Sequence, residues 1–364
     1  VAGMIKHYFA GGNTSKGFFS LYDSCLENLN KIFILKGGPG TGKSTLIKEV
    51  GEFWAENGMD IEYMHSPFDP DKLEGVKILG GLNVGIVNGT APNNIEPKAP
   101  GAIEQYINLG EGWDTGKLIL QKDKIIHYND IIYQWMEKAY GRFAEALKVH
   151  DDWEKIYIDS MDFEKADALT QKLIKEFYGN ISLNKMSAVK HRFLGAATPK
   201  GAVDFVPNLT EDISKRYFIK GRPGSGKSTM LKKIAQAGRT RGFDVEIYHC
   251  GFDPESVDMV IVRELSIAIF DSTAPHEYFP SREGDEILDL YGDIIEAGTD
   301  EVFAEKIEEV SKLYKGCMKT ATSYLAEAKT ARDELNQVYT DTMDFEVVNK
   351  LKSHIMTEIQ RLRD

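Results

Sequence analysis

The chain is written twice, and that constrains its fold more than any single motif does. Lys6-His7-Tyr8-Phe9 recurs as Lys190-His191-Arg192-Phe193, and Thr14, Lys16 and Gly17 recur as Thr198, Lys200 and Gly201, all at an offset of 184 residues. Gly37-Gly38-Pro39-Gly40-Thr41-Gly42-Lys43-Ser44 returns at the same offset as Gly221-Arg222-Pro223-Gly224-Ser225-Gly226-Lys227-Ser228. His65, Phe68, Asp69 and Pro70 return as His249, Phe252, Asp253 and Pro254. The offset then shrinks by single residues, so that Thr90-Ala91-Pro92 meets Thr273-Ala274-Pro275 at 183 and Met161-Asp162-Phe163 meets Met343-Asp344-Phe345 at 182. Such slow drift describes two copies of one domain, because solenoid repeats have periods of only roughly 20 to 50 residues. The cut falls near residue 186 and gives domains 1–185 and 186–364. Each is long enough to bury about 70% of its unfolded surface and hold its own core. The repeat leaves open whether the halves pack face to face as a pseudo-dimer within one chain.

The eight-residue segments have the spacing G-x-x-x-x-G-K-[ST], which should arise by chance in roughly one chain in a hundred of this length. Their glycines let the backbone turn where a Cβ would clash and bring successive N–H groups around a phosphate at the start of the following helix. Lys43 and Lys227 would reach the β- and γ-phosphates, and Ser44 and Ser228 would place a hydroxyl on Mg²⁺. Short apolar runs, Lys31 to Leu35 and Arg216 to Ile219, lead into the two segments as buried strands. Helices leave them at Thr45 and Thr229.

A formal charge of −12 argues against an extended nucleic-acid site, which needs a basic stripe. No run approaches 18 consecutive apolar residues and no leader is read at the start, so the expectation is a cytoplasmic protein with no membrane span. Cys25, Cys250 and Cys317 form no paired motif and fit a reducing compartment, and no His/Cys spacing suggests zinc.

Periodicity gives each copy the same plan: a strand at His7 to Ala10 or His191 to Leu194, the strand–loop–helix unit, then strands at Asp60 to His65 or Asp244 to His249 and at Val84 to Val87 or Ile267 to Phe270. Strands alternating with helices imply a mostly parallel sheet in an α/β fold. Ile125, Tyr128, Ile132, Trp135, Ala139, Phe143 and Ala146, and Phe303, Ile307, Val310, Tyr314, Ala321 and Leu325 in the second copy, mark long amphipathic helices. These predict a helical hairpin after each sheet, at about 117–178 and 300–364. Such hairpins could serve as core, as the contact between halves or as a surface for a protein partner.

Among residues that could do chemistry, Phe270-Asp271 ends a buried strand where an acid can serve magnesium, whereas the first copy has Asn88 there. The second site is therefore expected to be the better one for magnesium-dependent chemistry. Asp271 could instead be a turn or capping residue. Neither copy places Glu beside that position, so fast hydrolysis is not expected. Asp69 and Asp253 either face an acceptor or magnesium shell or start a turn with the prolines that follow, and His65 and His249 either act beside them or close a strand. Thr90 and Thr273 either sense a γ-phosphate or end a strand with their Ala-Pro. Arg222 and Arg282 are either charge-stabilising arginines or solvated side chains.

Through these two loops and their flanks the chain resembles P-loop NTPases. Its tandem loops, strand-end His-x-x-x-Asp-Pro and Thr-Ala-Pro resemble a family of duplicated bacterial ATPase-like proteins. The resemblance implies ATP as nucleotide. Three readings follow: slow Mg-dependent ATP hydrolysis that moves the halves, using Lys227, Ser228 and Asp271 with Lys43 and Ser44; a phosphotransferase in which Asp69 or Asp253 positions an acceptor; and an ATP-gated scaffold without turnover.

Overall fold

Within Lys31–Lys36, strand β4, successive side chains go to opposite cores, as the two-residue period of a strand requires. Phe33 and Leu35 join one apolar cluster, while Ile32 and Ile34 join another on the opposite face. A strand buried on both faces belongs in the middle of a covered sheet. The computed structural model, which describes residues 2–363, has two such sheets.

In the first copy, β1 (Ile5–Tyr8) precedes the ribbon β2 (Gly11–Thr14) and β3 (Gly17–Ser20), the turn α1 (Tyr22–Cys25), β4 and α2 (Lys43–Glu56). Next come β5 (Ile61–Ser66), β6 (Asp69–Ile78), β7 (Val84–Asn88), β8 (Glu104–Asn108), α3 (Thr115–Leu120), α4 (Lys122–Ile158) and α5 (Phe163–Tyr178). The second copy runs β9 (Val189–Phe193), β10 (Gly195–Thr198), β11 (Gly201–Asp204), α6 (Val206–Leu209), β12 (Lys215–Lys220) and α7 (Lys227–Thr240). It continues with β13 (Val245–His249), β14 (Val257–Val262), β15 (Ile267–Asp271), β16 (Asp285–Asp289), α8 (Leu290–Ile294), α9 (Thr299–Val302), α10 (Ala304–Thr340) and α11 (Phe345–Arg363).

The sheets are six-stranded and share one strand order, β1-β5-β6-β7-β4-β8 and β9-β13-β14-β15-β12-β16. All pairings are parallel except those of β6 and β14, which run against both neighbours. These antiparallel strands, with the edge strands β8 and β16, were not legible as strands in the sequence. The first strand of each copy also starts two residues earlier than its apolar run suggested.

The helices depart from expectation in a more consequential way. No hairpin closes on its own sheet. Instead α4 and α10, each 37 residues and so about 55 Å long, pair with one another along their length in opposite directions. Tyr128 lies by Glu334, Trp135 by Tyr324 and His150 by Tyr314. At mid-length Ala139, Phe143 and Ala146 meet Ala321, Leu325 and Ala328, whose i, i+4, i+7 spacing lines one face of each helix.

Each long helix therefore delivers its chain to the other half. Leu173, Ile174, Phe177 and Tyr178 of α5 are buried with Tyr217, Leu231 and Ile234 of the second sheet and α7. Reciprocally, Val348, Ile355 and Ile359 of α11 are buried with Phe33, Ile47 and Trp54 of the first. The repeated Met-Asp-Phe marks the entry to both exchanged helices, where Asp162 caps α5 by accepting from the Lys165 N–H at 3.0 Å and Asp344 accepts from the Glu346 N–H at 2.9 Å. The residue boundary at 185/186 separates the sequence repeats, while the packing units cross it.

The inner faces of both sheets share one core with α1 and α6, containing Ile34, Met64 and Val87 from one side and Phe218, Met259 and Phe270 from the other. A buried charge cluster lies there. One Arg192 amine sits 2.8 Å from each carboxylate oxygen of Glu62, and Lys77 reaches that carboxylate at 2.7 Å. Tyr8, at the repeat position of Arg192, lies under its guanidinium at 4.2 Å.

Ending the chain after Thr342 should uncover the first sheet and spare the second. Hydrogen exchange is expected to accelerate in β4 and β7, with β12 and β15 keeping their protection. Loss of protection in β12 instead would contradict the exchange.

Candidate functional site

Both glycine-rich loops enter their helices through left-handed backbone: Gly40 and Gly42 have φ of 70° and 84°, and Gly224 and Gly226 have 75° and 78°. L-residues avoid that region, which accounts for glycine at these positions. The first N–H groups of α2 and α7, which follow directly on these loops, have no helical partner. Within the first loop Lys43 Nζ donates to the Gly37 and Gly38 carbonyls at 2.8 and 2.6 Å. Lys227 Nζ donates to the Arg222 carbonyl at 3.0 Å and stands 3.5 Å from Asp271.

Ser44 and Ser228 are placed by a device invisible to motif reading. Ser44 Oγ accepts from the Leu73 N–H at 2.8 Å, and Ser228 Oγ accepts from the Val257 N–H at 2.9 Å. This ties each helix start to the antiparallel strand beside it. The next residue on that strand is an acid in both copies, Glu74 and Asp258. Glu74 accepts from Asn88 at 2.5 Å and from Asn93 at 3.1 Å. Asp258 is pushed up to about 6, mainly by burial and then by the negative charge of Asp271. Asn88 thus does not leave the first site without a carboxylate, because Glu74 supplies one from the neighbouring strand. Sequence reading missed both acids because their strand has no parallel-sheet signature.

Thr90 and Thr273 each donate to the strand-end side chain, Asn88 or Asp271, at 2.6 Å. Both Ala-Pro bonds that follow are cis. Asp69 faces Lys72 and Lys329, each at 3.5 Å, whereas Asp253 accepts from Ser256 at 2.7 Å and the Glu255 N–H at 3.2 Å in a local turn.

The histidines have a defined place. His65 Nδ1 donates to the Pro70 carbonyl at 2.7 Å, leaving Nε2 to accept from His7 Nδ1 at 2.9 Å; His249, Pro254 and His191 repeat the same distances. They link β1 to β5, and β9 to β13, and pin the residue after each repeated aspartate. Lys6 pairs across the halves with Asp212 at 2.7 Å. The three cysteines are free.

The other wall of each site comes from the opposite half. The backbone of α10 lies so close to the first loop that a Cβ at Gly40 would meet the Asn336 carbonyl at 2.5 Å; a Cβ at Gly224 would meet the Glu154 carbonyl of α4 at 2.3 Å. Lys200 of the β10–β11 ribbon pairs with Asp71, and Lys16 of the β2–β3 ribbon pairs with Glu255. One helical turn before those carbonyls stand Arg332 by the first site and His150 by the second. The walls differ in charge. Lys329 and Arg332 face the first site, whereas His150, Asp151 and Glu154 face the second and are the one group of donors with metal-like spacing among the described residues. Burial lowers His150 and raises Glu154.

The two arginines singled out from sequence are engaged elsewhere. Arg222 pairs with Asp300 at 2.8 Å over the Tyr291 ring, and Arg282 donates to the Glu211, Thr210 and Ile213 carbonyls.

Comparison of the chain with protein-family models, curated proteins and solved structures finds no match. No helix is long and apolar enough to cross a membrane among the described residues.

Burial holds the His65 imidazole down to about 4, below the 6.5 of a free side chain. Its neutral form therefore stabilises the fold above pH 6.5, and that contribution is lost as pH falls from 6.5 towards 4. Since one proton changes stability by about 1.4 kcal/mol per pH unit, urea titrations from pH 7 to 4 should show a shallower acid decline in His65→Asn than in the wild type. Equal slopes would mean that His65 does not titrate in that window.

Proposed function

We propose that the chain is an ATP-binding protein of the P-loop kind, with two composite, non-equivalent sites. It hydrolyses MgATP slowly and converts the event into a change of fit between its halves. The observation that supports this best is the convergence, twice over, of a loop lysine, a helix-start serine and a strand acid under a helix of the opposite half. Loop N–H groups and Lys43 or Lys227 would hold the phosphates, with Gly37 to Thr45 and Gly221 to Thr229 as the cradle. Mg²⁺ prefers oxygen donors and keeps several waters. Ser44, Glu74 and Asn88, and Ser228, Asp258 and Asp271, offer only oxygen ligands, with Asn88 contributing its amide oxygen. The ion would neutralise charge on the phosphates when bound.

Coupling to movement follows from the walls. A ligand in either loop lies against a helix anchored in the other half, so binding that prefers one spacing shifts the relation of the halves. The phosphotransferase reading gains less, because Asp69 is held by lysines and Asp253 by its turn.

Phosphate release from MgATP and binding stoichiometry, measured together on the wild type, Lys43→Ala and Lys227→Ala, test the proposal. Two sites, each lost with its own lysine, and slow release are expected. Tight binding without release would sink hydrolysis in favour of a nucleotide-gated scaffold, and no binding would sink the nucleotide reading.

The Lys43 amine is lowered to about 8 by burial, with Glu74 opposing and Arg332 reinforcing the shift. A phosphate receptor must be charged, so ATP affinity in Lys227→Ala should fall as pH rises through about 8, by at most about tenfold per unit. Unchanged affinity between pH 7 and 9.5 would remove Lys43 from phosphate binding.

A further inference from the structure

Arg332 is the unpaired cation of the first site. Its guanidinium makes no hydrogen bond and no ion pair among the described residues, and its ring contact is with Phe68, 4.7 Å from the centroid. It is half-buried, and the partial loss of water lowers its proton affinity, while Glu74, Tyr140 and Asp333 act in the opposite sense. A half-buried guanidinium without a carboxylate partner gives up part of its hydration without compensation. Around it the other cations are occupied: Lys329 holds Asp69 and Asp333, and Lys200 holds Asp71.

Its placement is fixed at both ends. Lys329 binds Asp69 at 3.5 Å on one side, and the Asn336 carbonyl rests against Gly40 on the other. Arg332 lies between them on α10, and its field reaches Lys43, whose proton affinity it helps to depress. Two cations that repel one another across a shared space, with Glu74 acting on both and Asp333 on Arg332 alone, form a receptor for a multiply charged anion. The planar fork of a guanidinium suits two oxygens of one phosphate.

Building on the nucleotide reading above, we infer that Arg332, carried by the second half, binds the terminal phosphate of the nucleoside triphosphate whose inner phosphates lie in the first half's loop. The first site distinguishes tri- from diphosphate through this residue, and only while α10 is docked. The second site has His150 at the same position, among Asp151, Glu154 and Trp153 of its own helix, Lys227 and Asp271 below, Phe252 and Asp253 beside it, and Tyr314 from α10. It has no equivalent fixed charge.

The test uses the full chain carrying Lys227→Ala, so that only the first loop is read. Dissociation constants for ADP and for ATP with Mg²⁺ are measured by calorimetry, before and after adding Arg332→Gln or Arg332→Lys. The expected result is that Gln weakens ATP about tenfold or more while ADP changes less than about twofold, and that Lys restores part of the difference. Phe68→Leu, which removes the ring contact and keeps the charge, should leave the ADP-to-ATP ratio nearly intact. Equal weakening of both nucleotides, or no change in either, overturns the assignment and makes Arg332 a packing residue. Failure of the Lys227→Ala chain to bind either nucleotide in a Lys43-dependent manner overturns the nucleotide reading and this inference together.

Discussion

The length of α4 and α10 governs the rest of the molecule. A straight helix of 37 residues spans about 55 Å, farther than a single sheet, so the chain that leaves it cannot fold back to cover the sheet it came from. Two such helices in opposite directions solve the problem reciprocally: each sheet receives its outer helix from the other half. Burial of Val348, Ile355 and Ile359 on one sheet and of Leu173, Ile174 and Phe177 on the other makes the halves interdependent. Each fully buried apolar side chain contributes about 1.5–3 kcal/mol, so neither exchange is a marginal contact.

The same geometry makes the sites composite. Because α10 passes over the first loop and α4 over the second, the residues facing the loops come from different repeats and have diverged separately. Arg332 and Lys329 stand where the other helix has His150 and Leu147. The centre of the molecule has diverged too. Arg192 lies against Tyr8 and is neutralised by Glu62, a pairing that two identical subunits could not make at a shared axis, where like would meet like.

Much of the sheet was legible because its signals are local. Ile32 to Leu35 and Tyr217 to Ile219 are continuous apolar runs bounded by glycine loops, and the lysine and serine of each loop sit where their spacing put them. The antiparallel β6 was not legible: it begins with Asp69-Pro70-Asp71-Lys72, a turn-like sequence, so Glu74 was never placed beside Ser44. The periodicity of α4 and α10 was plain, yet an apolar stripe states only that something covers it. Trp135 packing on Tyr324, and α11 on the first sheet, depend on distances the stripe does not encode. Arg332 was unreadable for the same reason, being brought to Lys43 by a helix that starts in the other half.

The exchange of α11 also sets an order of events during synthesis. The strand β4 and the helix that covers it are separated by about 300 residues of chain. At roughly 5–20 residues per second, the outer face of the first sheet waits on the order of 15–60 seconds for its last partner. Throughout that interval Phe33, Ile47 and Trp54 lack the side chains that finally enclose them. The second sheet, by contrast, emerges after α5 is already made. Nascent chains stalled short of residue 345 therefore leave that apolar face uncovered, and the half synthesised first is the half completed last.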